Sequence, residues 1–272
     1  MLVVPAAVAL AFFGLPLVGL LRQVEWGQLG SDLSDPEATD ALRLSLVCSL
    51  GAAALSVAFG MPLAWLLARV AIPAKSVVRA LVLVPMVLPP VVGGVALLAA
   101  FSRRGLVGQP LYDWFGVQLT FTTAGAILAE TFVALPFFVI TVEAALRGAD
   151  TRYEDAAATL GARPWTSFRR VTLPQVRSAV VAGAVIAWAR ALGEFGATIT
   201  FAGNIGGRTR TLPLAVYLAL DAYRAGDPQP IVELFTDAAH AAIDQIALPL
   251  LWIRQQPLCW CLNPSRTGRT GS

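Results

Sequence analysis

Apolar side chains run with few interruptions through residues 1–21, 41–68, 80–101, 121–146 and 178–202. A helix needs about 20 such residues to cross the roughly 30 Å of bilayer hydrocarbon, so each run is expected to span. The polar segments between the runs differ in charge. Residues 22–40 hold Glu25, Asp32, Asp35, Glu37 and Asp40 against Arg22, which suits a non-cytoplasmic loop. Arg69, Lys75 and Arg79 follow the second run with no acid among them. From Arg147 to Arg177 six arginines (147, 152, 163, 169, 170 and 177) stand against Asp150, Glu154 and Asp155. Positive charge collects on cytoplasmic loops, so residues 69–79, the 147–177 loop and the N-terminus are expected in the cytoplasm. Residues 102–120, with Arg103 and Arg104, fall on the outer side against that rule. The first run lacks a basic leading region and is expected to be a retained span, the alternative being a cleaved leader.

Beyond residue 202 the pattern weakens. Gly203 to Gly207 suits a turn, and 210–224, RTLPLAVYLALDAYR, has too short an apolar stretch to cross, as in a re-entrant or interfacial helix. From Gly226 onward, Glu233, Asp237, His240 and Asp244 stand where a sixth span is expected, which leaves 238–253 marginal. The expected fold is all-α, a polytopic membrane bundle of five or six spanning helices. Its membrane domain covers 1–227, and 228–272 is an atypical C-terminal segment.

The longest polar interruption in the first 200 residues is Thr151 to Pro174, TRYEDAAATLGARPWTSFRRVTLP. Thr151 and Glu154 have the spacing of a capping box, which predicts a helix start. Gly161 is placed to end that helix in the left-handed conformation, and Pro164 suits the first turn of a second one. The prediction is helix, glycine turn, helix. Tyr153, Ala156, Ala157 and Leu160 fall on one face of the first helix and offer an apolar surface to a partner.

Composition agrees with a membrane protein. Residues are 57% hydrophobic and 14% charged, and the mean hydropathy of +0.68 lies outside the range of water-soluble globules. A net charge of +3, with one lysine and scattered arginines, gives no nucleic-acid surface. Cys48, Cys259 and Cys261 make no disulfide framework, and a Cys-x-Cys without nearby histidine is a poor metal site, so three free thiols and no metal are expected. His240, the lone histidine, is expected to be solvated or incidental. The chain holds no phosphate-binding GxxxxGK[ST] motif and no nucleophile beside a base, so no catalytic residue is assigned. Any uphill movement must draw its energy from elsewhere.

Within the runs, Pro85, Pro89, Pro90, Gly93 and Gly94 predict a kinked or locally opened helix whose freed backbone groups face protein or a water-filled path. A bent packing helix is the alternative. Arg190 and Glu194 stand one turn apart and can pair, as charges at this depth must. Pro89, Pro90, Gly93, Arg190, Glu194, Phe195, Gly196 and Thr198 are the candidate lining of a translocation path. A structural ion pair between helices is the other reading of Arg190 and Glu194.

The polar stretch resembles the signature loop of permease subunits of bacterial ABC importers: Glu-Ala-Ala, three residues, Gly, nine residues, Ile-x-Leu-Pro. Here it is Asp155-Ala156-Ala157, three residues, Gly161, nine residues, then Val171-Thr172-Leu173-Pro174. The molybdate branch, close to the sulfate one, is resembled most, through VLPPVVGG (87–94), TLGARP (159–164), ARALGEFGATITFAGN (189–204) and TRTLPLAVY (209–217). The resemblance covers about residues 5–227. It implies a type I importer permease fold and an ATPase-coupling loop carried by Glu154, Asp155, Ala156, Ala157, Gly161, Arg169, Arg170, Leu173 and Pro174. It also implies two copies of a partner ATPase that binds ATP and Mg, an extracytoplasmic molybdate-binding protein, a second permease copy in a homodimer, and a place in the bacterial inner membrane. No cofactor is expected in this chain. Sulfate or thiosulfate is the alternative cargo. After about Pro228 the chain departs from the family, as a divergent end or a disrupted reading frame would make it; a non-functional relic is the corresponding alternative to a transporter.

Overall fold

The computed structural model describes residues 3–23 and 36–224. Among these the regular elements are helices: α1 Val3–Gln23, α2 Pro36–Arg69, α3 Lys75–Val87, α4 Pro90–Phe101, α5 Gly108–Phe115, α6 Thr123–Gly148, α7 Arg152–Thr159, α8 Pro164–Leu192, α9 Gly196–Ala202 and α10 Leu212–Arg224. Three stretches, Ala38–Arg69, Thr123–Gly148 and Pro164–Leu192, are long and apolar enough to cross a bilayer, and α3 with α4 makes a fourth if the bent pair counts as one span. The apolar part of α1, Val3–Pro16, is shorter than that. His240, Cys259, Cys261, the marginal 238–253 and the whole of 228–272 lie outside the described residues.

The core forms around α6, which buries Ala129, Val133, Ala134, Phe138, Val142 and Leu146. Against it α2 presents small side chains at helical spacing, since Ala41, Ser45, Cys48, Ser49, Ala52 and Ser56 are all buried. In lipid there is no hydrophobic force between helices, so close backbone approach replaces it. A Cβ on Gly60 of α2 would stand 2.6 Å from the Phe138 ring, and one on Gly183 of α8 would stand 3.3 Å from the same ring. Phe138 is thus gripped from both sides, and α2, α6 and α8 close around it.

Two runs expected as single spans are broken. Residues 80–101 form α3 and α4, bent by 119°. Leu88 is extended (φ −68°, ψ 134°) and so is Pro89 (φ −53°, ψ 136°), because a proline drives the residue before it out of the helical region. Residues 178–202 likewise stop at Leu192 and restart at Gly196. The Glu194 carboxylate accepts from the Ala197 amide at 2.9 Å and so caps the new helix, which an unbroken helix would not allow.

Candidate functional site

The Thr151–Pro174 stretch folds as helix, glycine turn, helix. Gly161 has φ +80°, with open space around the missing Cβ, so its requirement is conformational. Its amide donates to Ala158 O at 3.0 Å and that of Ala162 to Ala157 O at 3.0 Å, which is the Schellman pattern. Pro164 opens α8, which passes through a π-helical turn at Phe168–Thr172 and continues as Leu173–Leu192. The second helix of the loop is therefore the start of a membrane-length helix.

The capping box is not made. Thr151 lies in the right-handed helical region (φ −73°, ψ −17°) and its side chain caps nothing, while Asp150 Oδ1 accepts from the Arg152 amide at 2.9 Å. Glu154 is engaged elsewhere. Its Oε1 accepts from Arg69 Nη2 at 2.9 Å and from Thr172 Oγ1 at 3.0 Å, tying α7 to the end of α2 and to the π turn. Of the other loop residues, Asp155, Ala156, Gly161, Arg169, Arg170 and Pro174 are exposed, and Ala157 and Leu173 are half-buried. Tyr153, Leu160 and Trp165 stand in solvent at 62%, 88% and 69% exposure, and the Trp165 ring stacks on Phe168. Arg169 and Arg170 stand exposed in the π turn, so the loop shows both apolar and basic side chains at its surface.

A second ionic cluster lies close by. Arg79 of α3 and Arg147 of α6 both donate to Glu143 Oε1, the latter at 2.8 Å, and Arg147 also reaches Leu67 O at 3.4 Å. Neither Arg69 nor Arg79 stood out in the sequence as more than a topology signal. Their partners are 85 and 64 residues away, and spacing along one helix carries no trace of that.

The interior residues gather where the two helix breaks meet. Arg190 Nη1 contacts Glu194 Oε2 at 2.6 Å, with the Arg190 side chain 28% exposed and Glu194 1%. A Cβ on Gly196 would meet Pro90 Cβ at 2.8 Å, and one on Gly94 would meet Thr200 Cβ at 2.6 Å, so α4 and α9 touch backbone to backbone. Gly93 is buried against Phe132, and Thr198 is buried, whereas Pro89 and Pro90 are exposed. Phe195 packs on Tyr217 at 5.0 Å between ring centroids. Sequence reasoning gave no role to Glu130, which is 2% exposed, within electrostatic reach of Glu194, and has an Oε2 without a hydrogen-bond partner, as does Thr198 Oγ1.

Residues 60–225 match the family described as binding-protein-dependent transport system inner membrane component. The molybdenum transport system permease protein ModB of Mycobacterium tuberculosis is 47% identical over 230 residues, 85% of each chain. The sulfate transport system permease protein CysT of Escherichia coli is 36% identical over 207 residues, 76% of this chain and 74% of that one. Among solved structures, a bacterial alginate ABC transporter in complex with an alginate pentasaccharide-bound periplasmic protein matches with a TM-score of 0.62 at 20% identity, over 82% of this chain and 83% of that one. With more than half of the chain matched to the family, and relatives this similar, the chain is a membrane-embedded permease subunit of the binding-protein-dependent ABC transport family, without an ATPase site of its own.

Proposed function

We propose that this chain is the multi-pass permease subunit of an ATP-driven importer of molybdate. Tungstate, a tetrahedral dianion of nearly the same size, is an alternative cargo. The observation that carries the cargo is the 47% identity to a molybdenum permease along 85% of both chains, against 36% to a sulfate permease. Sulfate or thiosulfate is the second reading, favoured by that latter relative.

In this proposal Thr151–Pro174 faces the cytoplasm and docks through Tyr153, Ala156, Ala157 and Leu160 into an ATPase subunit that binds ATP and Mg. Two permease copies form a homodimer in the bacterial inner membrane, with the N-terminus in the cytoplasm, and an extracytoplasmic molybdate-binding protein delivers the anion. Support comes from the exposed apolar face of α7, the Schellman turn that holds it, and the arginine excess of residues 147–177. The path runs beside the α4–α9 contact, where Arg190 supplies the one partly exposed cation of the Arg190–Glu194 pair.

The test is uptake of labelled molybdate by proteoliposomes holding the chain with its cognate ATPase and binding protein. Uptake blocked by tungstate and insensitive to excess sulfate is expected. Sulfate uptake with molybdate excluded overturns the cargo, and no uptake of either anion overturns the importer. Gly161→Pro and Ala157→Arg are expected to abolish uptake while membrane insertion persists; normal uptake by either removes the coupling role from this loop.

A further inference from the structure

An element that docks on an ATPase must pass its displacement to the membrane helices, and α7 has little packing with which to do so. It is eight residues long and buries no side chain. The geometry points to Arg69 as the positioning residue that joins α7 to the membrane helices, with Glu154 Oε1 as a one-atom pivot. This rests on the coupling role proposed above for Thr151–Pro174.

Two elements converge on that oxygen of α7. Arg69, the last residue of α2, donates from Nη2 at 2.9 Å. Thr172 donates from Oγ1 at 3.0 Å and belongs to the π turn of α8. The same Arg69 amine also reaches Ala149 O at 3.4 Å, just ahead of α7. The joint is sheltered: the Arg69 side chain is 15% exposed, Glu154 25%, and Thr172 is buried at 2%. In such surroundings a charge deprived of its partner is costly, so the pair holds under load.

Its geometry also permits rotation. A bidentate guanidinium–carboxylate fork fixes the mutual angle as well as the distance. Here Arg69 uses one amine for Glu154 and leaves its Nε buried without a hydrogen-bond partner. The contact therefore fixes where Glu154 sits while leaving α7 able to turn about it. The two recipients are long. Arg69 ends a 34-residue helix packed along α6, and Thr172 lies in the helix that runs on to Leu192, two residues short of Glu194. Displacement of α7 is thus delivered to α2 and α8 at once, ahead of any change inside the bundle.

The experiment measures molybdate taken up per ATP hydrolysed by the full complex in proteoliposomes, with the loaded binding protein added and the amount of inserted complex normalised. Arg69→Ala is expected to lower that ratio about tenfold, the size of an ordinary coupling energy, while the ATPase still co-purifies. Arg69→Lys keeps a single-point donor and is expected to stay within about twofold of the parent. Thr172→Val removes one of the two donors and is expected to lower the ratio about threefold. The charge exchange Arg69→Glu with Glu154→Arg is expected to recover much of the loss. A parental ratio in Arg69→Ala, or in Thr172→Val, overturns the pivot, as does Arg69→Lys being as damaging as Arg69→Ala. If Arg69→Ala does not insert, Arg69→Lys and Thr172→Val still decide the matter. Gly161→Pro separates the two claims: if it uncouples and Arg69→Ala does not, the docking role stands and the pivot falls; if it transports normally, the docking role falls as well.

Discussion

Neither α4 nor α9 has room for a methyl group where they touch. A Cβ on Gly94 would stand 2.6 Å from Thr200 Cβ, 3.0 Å from Ala197 O and 3.2 Å from Ala197 Cα. One on Gly196 would stand 2.8 Å from Pro90 Cβ and 3.1 Å from Val91 N. Ordinary contact begins near 3.4 Å, so Gly94→Ala must part the helices by about 0.8 Å and Gly196→Ala by about 0.6 Å. The obstructing atoms are backbone or Cβ atoms, which no rotamer change removes. Overpacking of this kind costs about 1–3 kcal/mol. Both changes open one seam, so the double variant should cost less than the sum of the singles. For a chain of this size about 2–4 °C is lost per kcal/mol, so a fall of several degrees in the thermal midpoint of the purified protein is expected for Gly94→Ala. Uptake should fall with it, since the Arg190–Glu194 pair lies beside the seam. Gly148→Ala is the control, with nothing within 4 Å of the added atom. A Gly94→Ala protein with the midpoint and uptake of that control would refute the close-contact argument.

Three further outcomes are expected. Glu194→Ala strands Arg190 and leaves the Ala197 amide without its acceptor, at about 3–5 kcal/mol for a buried pair, whereas Glu194→Gln keeps the acceptor; thermal midpoints should fall in the order parent, Gln, Ala. Gly161→Ala meets no steric obstacle, yet at φ +80° it costs about 1–2 kcal/mol, to be read as faster hydrogen exchange at the Gly161 and Ala162 amides. Val181→Gly with Val185→Gly touches two exposed positions of α8, at 64% and 55%, and softens that helix by about 1 kcal/mol per glycine; uptake per ATP should fall while the ATPase still binds.

Hydropathy reports helices well in a bilayer because every backbone polar group there must be satisfied within its own segment. That is why the run 41–68 falls inside α2, Pro36–Arg69, and the run 121–146 overlaps α6, Thr123–Gly148. The same physics hides the breaks. Glycine is ordinary in membrane helices, so Gly193 gave no warning that 178–202 stops and restarts; the cause is Glu194, which was expected to pair with Arg190 and also caps α9. Pro89 and Pro90 announced a distortion but not its 119°. In the Thr151–Pro174 loop the turn was legible because Gly161 and Pro164 act locally. The capping box was not, because Glu154 had a stronger, charged partner that only the folded chain brings near.

The division between local and distant signals also says how force can travel. Motif residues exposed on α7, namely Tyr153, Ala156 and Leu160, are set by sequence neighbours and can meet a partner without rearrangement. The residues behind them, Arg69, Glu154 and Thr172, are set by three separate helices, so any shift of the face must be taken up by all three. From Thr172 the chain continues as helix to Leu192, about 30 Å at 1.5 Å per residue, with no loop to absorb the movement. The first place that can yield is the break at Gly193, and there Glu194 holds both the end of α8, through Arg190, and the start of α9, through the Ala197 amide. Glu154 at the π turn of α8 and Glu194 beyond its last residue thus join it to its neighbours, and the glycine seam between α4 and α9 lies against the second. A displacement entering at Glu154 and relaxing at Glu194 needs no deformation of α8 itself.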